Sequence, residues 1–332
     1  MKRQGNLMAS VADIENLRLA FWKARKAKDG KIEVIAYRQS LDKNLLQLHT
    51  DLLNGTLTVG NYHYFTIYDP KERKICAAAF GERVLHHALM NVCHPFFEKY
   101  QIFDSYASRN GKGQYAALER AASFQQKYKW FLKLDVRKYF DSIDHFILKS
   151  LLVKKTKDSK LLNVLFQIID SYETDTGKGL PIGNLTSQYF ANHYLAFADH
   201  FVSEKLRAKA YVRYMDDMVI WANDKDSLLK IGIELQQFIA SELSLTLKPF
   251  CLNYTNKGLP FLGYMLFPNT ILLNNNSRKR FTSKLKQYTY KLNNEVWNQI
   301  DYQAHVLPLF AFVKYADTFN LRTNKIEISK IG

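Results

Sequence analysis

The chain has 332 residues and carries 47 Lys and Arg against 31 Asp and Glu, a formal net charge of +16 at neutral pH. Hydrophobic residues make up 47% of the sequence, and Pro and Gly are few, which excludes a disordered chain and allows two or three packed modules. So large a positive charge favours nucleic acid as the partner, with an anionic membrane surface as the alternative.

The three cysteines, Cys76, Cys93 and Cys251, are scattered and lack the spacing of a zinc site or a disulfide framework. We interpret them as reduced thiols of a cytoplasmic protein. The N-terminus lacks the apolar run of a signal peptide, and no run of about 18 apolar residues could span a membrane. We therefore expect an intracellular protein with no membrane partner.

The first third of the chain is predicted to be helical apart from one hairpin. Apolar spacing and turn residues predict, in order, a helix over 11–27, a helix over 40–54, strands over 61–68 and 73–79, a helix over 81–99, and a loop and strand around 100–113. Asn54-Gly55 is a helix stop signal, and Asp69-Pro70 begins the turn between the strands.

The remainder of the chain is predicted to alternate strands with helices before a helical end. The predicted elements are a strand over 129–136, helices over 145–154 and 159–171, a long helix capped by Thr186 or Ser187, two short apolar runs within 210–222, a helix over 225–243, strands over 245–254 and 259–267, and a helix capped by Ser277. In this last helix, Arg280, Lys284 and Lys291 form a stripe beside an apolar face, which suits a helix that contacts phosphates; a merely solvated basic face is an equal alternative.

Two adjacent acids, Asp216 and Asp217, lie between apolar runs in the segment VRYMDDMVIW. Burying an unpaired carboxylate is costly, so we expect a two-residue hairpin that exposes both. A third acid, Asp135, ends the apolar strand FLKLD. A solvated, inert Asp-Asp turn is the alternative, and it is weakened if Asp135 lies within reach.

Three carboxylates this close cannot all stay ionised unless a cation neutralises them. Mg²⁺ is the natural occupant, since hard divalent ions prefer oxygen ligands. Two such ions, about 3.5–4 Å apart, can activate a hydroxyl nucleophile and stabilise the leaving oxygen of a phosphoryl displacement. The acids Asp135, Asp216 and Asp217, together with the basic chain, therefore indicate nucleotidyl transfer.

The YMDD hairpin preceded by the LDV strand closely resembles the palm of reverse transcriptases. The resemblance continues in family order through PKERKICAAAFGERVLHHAL (70–89), DSYASRNGKG (104–113), GLPIGNLTSQYFANHYL (179–195) and LPFLGYMLF (259–267). It covers roughly residues 60–270. It implies an RNA-directed DNA polymerase that takes dNTPs and an RNA–DNA template–primer duplex, and that uses two Mg²⁺ ions, for which Mn²⁺ can substitute.

The same resemblance implies an α+β right-hand fold with fingers, a palm whose antiparallel sheet carries the YMDD hairpin, and a short helical thumb. The expected regions are an N-terminal helical extension over 1–60, fingers over 61–130, a palm over 131–270 with an insert over 145–185, and a helical thumb over 271–332.

Carried over residue by residue, the resemblance makes Asp135, Asp216 and Asp217 the metal ligands, with an added oxygen from the Val136 carbonyl. Asp217 is the less direct partner of the three. Lys248, in LTLKPF, matches a general acid for the pyrophosphate leaving group.

The nucleotide-binding residues implied by the resemblance come from three segments. Lys71 and Arg73 would grip the triphosphate, the alternative for Lys71 being a solvated turn charge. Phe140 would be a steric gate against the ribose 2′-hydroxyl, the alternative being an ordinary core residue. The loop-helix residues Ile182, Gly183 and Gln188 would shape the pocket.

Template and primer contacts are implied more loosely. The residues concerned are Arg83 and His87 near the template, Tyr214 and Met215 of the YMDD turn, Leu262 and Gly263 of the primer-grip hairpin, and the thumb residues Arg280, Lys284 and Lys291. For His87, ordinary helix packing is an equal alternative.

The pattern aliphatic-G-x-x-x-S-Q, here Ile182 to Gln188, resembles the reverse transcriptases of diversity-generating retroelements. That group implies misincorporation opposite template adenines, a structured non-coding RNA and a small basic accessory protein. The rival branch is the defence-associated bacterial reverse transcriptases. A catalytically silent RNA-binding scaffold and an RNA-templated RNA polymerase are further alternatives; the intact acids disfavour the first and Phe140 disfavours the second.

Overall fold

The structure is a computed structural model, and it describes residues 5–68 and 72–323. It combines helices with antiparallel sheets, as the predicted α+β class requires. Within these ranges, no helix is both long and apolar enough to cross a membrane.

The elements of the N-terminal half are α1 (Leu7–Ala12), α2 (Ile14–Arg25), α3 (Ile32–Gln39), α4 (Leu41–Asn54), β1 (Tyr62–Ile67), β2 (Arg73–Ala78), α5 (Phe80–Tyr100), α6 (Gln114–Lys127), β3 (Trp130–Asp135), α7 (Tyr139–Ser142), α8 (His145–Val153) and α9 (Ser159–Asp170). The C-terminal half contains α10 (Leu185–His200), a π-helical turn (Phe201–Lys205), β4 (Tyr211–Tyr214), β5 (Asp217–Ala222), α11 (Lys225–Leu243), β6 (Cys251–Tyr254), a 3₁₀ turn (Thr255–Lys257), β7 (Leu259–Phe261), β8 (Tyr264–Leu266), β9 (Ile271–Leu273), α12 (Asn275–Asn293) and α13 (Gln299–Lys314).

The helix predicted over 11–27 is divided at Asp13. Its side chain accepts hydrogen bonds from the amides of Glu15 and Asn16, so it caps α2 and separates it from α1. The single helix predicted over 11–27 is therefore wrong. The helix stop at Gly55 is confirmed, since this residue ends α4 with a φ of 73°. Helices α3 and α6 were not predicted.

The central sheet has the strand order β4-β5-β3-β6, and all its pairs are antiparallel. Alternating side chains of β3 serve two cores. Leu132 and Leu134 face the large core built on α5 and α10, whereas Phe131 faces a second core with Trp221. Lys133 and Asp135 alternate with the leucines, so they lie on the Phe131 face. This face also receives α6 and the small sheet β7-β8-β9.

The predicted caps of two helices are wrong by a few residues. Asn184, not Thr186 or Ser187, precedes α10, and its side-chain oxygen accepts a hydrogen bond from the amide of Ala78 in β2. Thr186 and Ser187 are buried inside the first turn.

The cap of α12 is Asn274, whose side chain accepts a hydrogen bond from the amide of Ser277, the residue predicted to be the cap. The predicted strand over 245–254 begins only at Cys251. Before it, Leu247 forms an isolated bridge with Val136.

Candidate active site

The three predicted acids meet at one end of the central sheet. Asp135 is the last residue of β3 and pairs directly with Asp217, the first residue of β5. The turn between β4 and β5 consists of Met215 and Asp216, and Tyr214 pairs with Asp217 across it. Met215 has a φ of 53°, a left-handed conformation that costs a non-glycine residue about 1–3 kcal/mol.

The expectation that the hairpin exposes both acids is wrong. Asp216 and Asp217 are half-buried, and Asp217 shares the wall of a cleft with Pro260 and Phe261 of β7. Burial raises the pKa of the Asp216 carboxyl, and the charges of Asp135 and Asp217 raise it further. Burial likewise raises the pKa of Asp217, although the charge of Lys133 opposes that shift.

Two lysines neutralise part of this acidic cluster. Lys248 Nζ lies 2.8 Å from each carboxylate oxygen of Asp135, and the Lys248 amide donates to the Asp135 carbonyl at 2.9 Å. Lys133 Nζ lies 2.9 Å from Oδ1 of Asp217 and donates to the Pro260 carbonyl at 2.9 Å. Lys133 was not predicted, although its position two residues before Asp135 places both side chains on one face of β3.

Carboxylates, the side chains gathered at this end of the sheet, are the donors that a hard divalent cation prefers. In the structure, Lys248 and Lys133 are the countercations of Asp135 and Asp217. Among residues 5–68 and 72–323 no group of three or more His, Cys, Asp or Glu is arranged to hold a metal.

Asp217 lines a cleft of about 880 Å³ that brings separate segments of the chain together. Of the predicted residues, those that line it are Arg73, Tyr214, Asp217, Leu262, Gly263 and Arg280. Lining residues that were not predicted include Tyr68, Gln114, Lys133, Asn274, Lys279 and Phe312. The lining of the cleft thus combines the acid Asp217 with cations from β2 and α12.

The cation from β2 is Arg73, the first residue of that strand, whose side chain is exposed. It lines the same cleft as Asp217. Lys71, the other predicted triphosphate contact, lies outside the described residues.

The loop before α10 holds β2 in place. Cys76 donates its amide to the Ile182 carbonyl at 2.8 Å, and Gly183 has a φ of 125°. A Cβ on Gly183 would lie 2.9 Å from the Ile75 side chain, so the close approach requires glycine. Gln188, further along, accepts a hydrogen bond from the Ser108 hydroxyl at 2.8 Å. The loop therefore couples the predicted nucleotide pocket to β2.

The predicted gate, Phe140, is half-buried in α7 and packs against the large core. Its ring meets that of Tyr139 edge to face, and its carbonyl accepts from the amide of Leu180. Val136 is buried between β3 and the segment of Leu247. Phe140 therefore lies shortly after Asp135 in the chain, and its bond to Leu180 fixes it to the loop that carries Ile182.

Arg83 and His87 face the N-terminal helices. Arg83 donates to the Ala78 carbonyl at 2.8 Å, and its guanidinium lies 3.3 Å from Glu33. Burial and, to a smaller extent, the charge of Lys23 lower the pKa of His87 to about 4, so this imidazole is neutral at neutral pH. A charged contact between His87 and a template phosphate is therefore not supported.

Leu262 and Gly263 form the two-residue turn between β7 and β8, with φ values of 49° and 90°. Gln114 donates to the Leu262 carbonyl at 2.9 Å, and the Asn274 amide donates to the Gly263 carbonyl at 3.2 Å. The turn is thus fixed between α6 and the start of α12, with Lys133 bonded to the same hairpin.

The predicted thumb cations lie along α12. Arg280 lines the cleft and stacks near the Phe312 ring of α13 at 5.7 Å. Lys284 lies one turn later. Lys291 lies near the end of the helix, with its ammonium 4.3 Å from the Trp297 ring. The structure brings Arg280 to the cleft, together with the unpredicted Lys279.

A cleft in which Asp217 shares the wall with Arg73, Lys279 and Arg280 has the charges that a nucleotidyl-transfer site of the polymerase class requires. A family model described as reverse transcriptase (RNA-dependent DNA polymerase) matches residues 69–266, more than half of the chain. The chain therefore belongs to the reverse transcriptase family.

Protein YkfC of Escherichia coli K12 is 22% identical in an alignment of 282 positions, and the match covers 68% of this chain and 74% of that protein. The nuclear intron maturase 1, mitochondrial, of Arabidopsis thaliana is 29% identical in an alignment of 112 positions that covers 30% of this chain. The chain spans only 16% of that plant protein.

The apo telomerase structure from Candida tropicalis is similar with a TM-score of 0.50 and 13% identity, covering 65% of this chain and 55% of the telomerase chain. This likeness concerns the fold alone, and the predicted right-hand polymerase fold is confirmed.

Proposed function

We propose that this protein copies RNA into DNA by nucleotidyl transfer in the cleft between the palm sheet and α12. The observation that carries the proposal is the placement of Asp217, paired with Asp135 across the sheet, on the wall of the cleft that Arg73 also lines. Membership of the reverse transcriptase family supports it.

The carboxylates of Asp135, Asp216 and Asp217, with the Val136 carbonyl, would hold Mg²⁺ or Mn²⁺. When bound, two ions supply activation of the primer hydroxyl and stabilisation of the leaving pyrophosphate. Lys133 and Lys248 form ion pairs with Asp217 and Asp135, respectively. Lys248, beside Asp135, would then donate a proton toward the leaving group.

Other residues bind and orient the substrates. Arg73 presents its guanidinium fork to the triphosphate. Phe140 excludes a ribose 2′-hydroxyl, so dNTPs are preferred over rNTPs. The Leu262-Gly263 turn holds the primer end, while Arg280 contacts duplex phosphates.

We also propose that the protein is the polymerase of a diversity-generating retroelement, acting in the cytoplasm on a structured RNA with a small basic accessory protein. Ile182 supports this, since an aliphatic side chain beside the nascent pair offers no hydrogen bond to discriminate base pairs. A defence-associated reverse transcriptase that copies a non-coding RNA is the second candidate, because the two groups share the palm residues.

Primer extension tests the proposal. The purified full chain, an adenine-rich RNA template with an annealed DNA primer, Mg²⁺ and four dNTPs should yield DNA complementary to the template. Sequencing of the products should show errors concentrated opposite adenines, whereas errors spread evenly over the four bases would favour the defence-associated candidate. Tight duplex binding without extension in Mg²⁺ or Mn²⁺ would overturn the polymerase function and leave an RNA-binding scaffold.

A further inference from the structure

Directly behind the acidic turn lies a fully buried ion pair between Arg213 of β4 and Asp199 of α10. Both side chains have 0% exposure, and Arg213 Nη2 lies 2.7 Å from Asp199 Oδ2. Arg213 Nε also donates to both carboxylate oxygens, at 2.8 and 2.9 Å, and the Tyr211 hydroxyl donates to Asp199 at 2.7 Å. Neither group has a place in the proposed chemistry, so the burial of this pair needs another explanation.

The Arg213 guanidinium has hydrogen-bond partners besides the Asp199 carboxylate. Nη1 donates to the side-chain oxygen of Asn192 at 3.1 Å, and Nη2 donates to the Gln101 side chain at 3.2 Å and the Asn192 carbonyl at 3.3 Å. Asn192 is itself fixed, since its side-chain amide donates to the Ala107 carbonyl at 2.7 Å. The planar fork is thus held on several sides by α10 and by the segment after α5.

One remaining bond reaches the acidic turn. Arg213 Nη1 donates to the carbonyl of Met215 at 3.1 Å. Met215 is the residue with left-handed backbone, and Asp216 follows it directly. A non-glycine residue keeps this conformation only where its surroundings impose it.

The backbone of Arg213 is held as well. Its amide donates to the Asp104 carbonyl at 2.9 Å, and its carbonyl accepts from the Tyr106 amide at 3.0 Å. Both ends of the residue are therefore fixed to segments outside the hairpin, while its side chain holds the hairpin turn.

We propose that Arg213 is a positioning residue that holds the Met215 carbonyl and so fixes the Asp216–Asp217 turn for metal binding, with Asp199 as its anchor. The proposal rests on the proposed function for its catalytic consequence. The fixing of the turn itself is a property of the protein without metal. A lysine cannot replace the arginine, because one ammonium has three donors and no fork.

The test compares Arg213→Lys with Arg109→Lys. Arg109 is a matched control: its side chain is 9% exposed, it bonds both oxygens of Glu98, and it donates to the carbonyls of Ile102 and Ser105. None of its described bonds reaches the turn. A second variant, Arg213→Met with Asp199→Leu, removes both charges together, so that no single buried charge is left to prevent folding.

Hydrogen exchange of the peptide spanning residues 213–217 is measured without metal or substrate. Arg213→Lys should exchange about fivefold to tenfold faster there than wild type, and Arg109→Lys should leave this peptide unchanged. In extension assays, Arg213→Lys should lower kcat and raise the Mg²⁺ concentration for half-maximal rate, with little change in the KM for dNTP.

Unchanged exchange in both Arg213 variants would overturn the positioning role, whatever the extension assay shows. If Arg213→Lys does not fold, the double variant provides the same comparison. Faster exchange in a protein whose wild type extends no primer would support the positioning role and contradict the proposed function instead.

Discussion

The palm sheet and the thumb helices both place charged side chains at the same cleft, but the palm fixes its charges and the thumb leaves Lys279 exposed. In the palm, Asp217 and Lys133 are mostly buried and lie 2.9 Å apart, and the pair is bonded to the neighbouring hairpin. In the thumb, α12 and α13 share a small core, and Lys279 is exposed at the cleft. Chemistry needs atoms at fixed positions, whereas phosphate backbones are held by charge that tolerates movement.

The exposed apolar residues follow the same division. Side chains of α13 such as Ile300 and Leu307 are 77% and 65% exposed, while the central sheet is covered on both faces. A single substitution in the palm should therefore abolish primer extension, whereas substitutions in the thumb should weaken duplex binding by degrees. The following predictions test that difference, beginning with the largest effect.

Asp217→Asn should reduce the extension rate by about 1000-fold or more, because a metal ligand is worth several kcal/mol to the transition state. Single-turnover extension measures this effect, and a filter assay should show that duplex binding persists. Asp224→Asn, which changes an exposed helix cap, is the control and should extend at the wild-type rate. Normal extension by the Asp217 variant would refute its role at the metal site.

Phe140→Ala should raise incorporation of rNTP relative to dNTP by about tenfold or more, since the ring no longer fills the space of the 2′-hydroxyl. Competing single-nucleotide incorporations give the ratio. Phe146→Ala is the matched control, because that ring is 82% exposed. An unchanged ratio would reduce Phe140 to a core residue.

Arg280→Ala should weaken duplex binding several-fold and lower the slope of log affinity against log salt by about one, as expected when one phosphate contact is lost. Fluorescence anisotropy at several salt concentrations measures the slope. The control is Lys230→Ala, an exposed cation on α11. If both variants give the same slope as wild type, α12 does not hold the duplex through Arg280.

Ile182→Gln should reduce misincorporation opposite template adenines by about twofold to tenfold, the effect of one added hydrogen bond. Sequencing of extension products measures it, with Ile182→Met as the aliphatic control. An unaltered error spectrum in the glutamine variant would remove the support that Ile182 gives to the retroelement assignment.

The acids of the site could be predicted from the sequence because each signal that marks them lies within a few neighbouring residues. Asp135 ends an apolar strand, Asp216 and Asp217 interrupt two apolar runs, and Gly55 stops a helix; each signal lies within a few residues. The YMDD turn carried the family resemblance, and the family match now supports it.

What sequence missed depends on distant segments. Arg213 looked like one more residue of an apolar strand, and only its contacts to Asp199 and Gln101 show what it does. Asn184 precedes α10, but its side chain bonds to β2, far away in sequence, and not to the amides of its own helix. The exposure of Asp217 was misjudged because β7, which lines the same cleft, follows it by about 40 residues in the sequence.

The central claim is that the palm acids hold the ions for synthesis. Electron paramagnetic resonance can count Mn²⁺ bound to the full chain with a template–primer duplex and a non-reactive dNTP analogue. We expect about two Mn²⁺ ions per wild-type chain. Asp135→Asn should bind Mn²⁺ more weakly and lose at least one ion. Equal stoichiometry and affinity in the two proteins would contradict it.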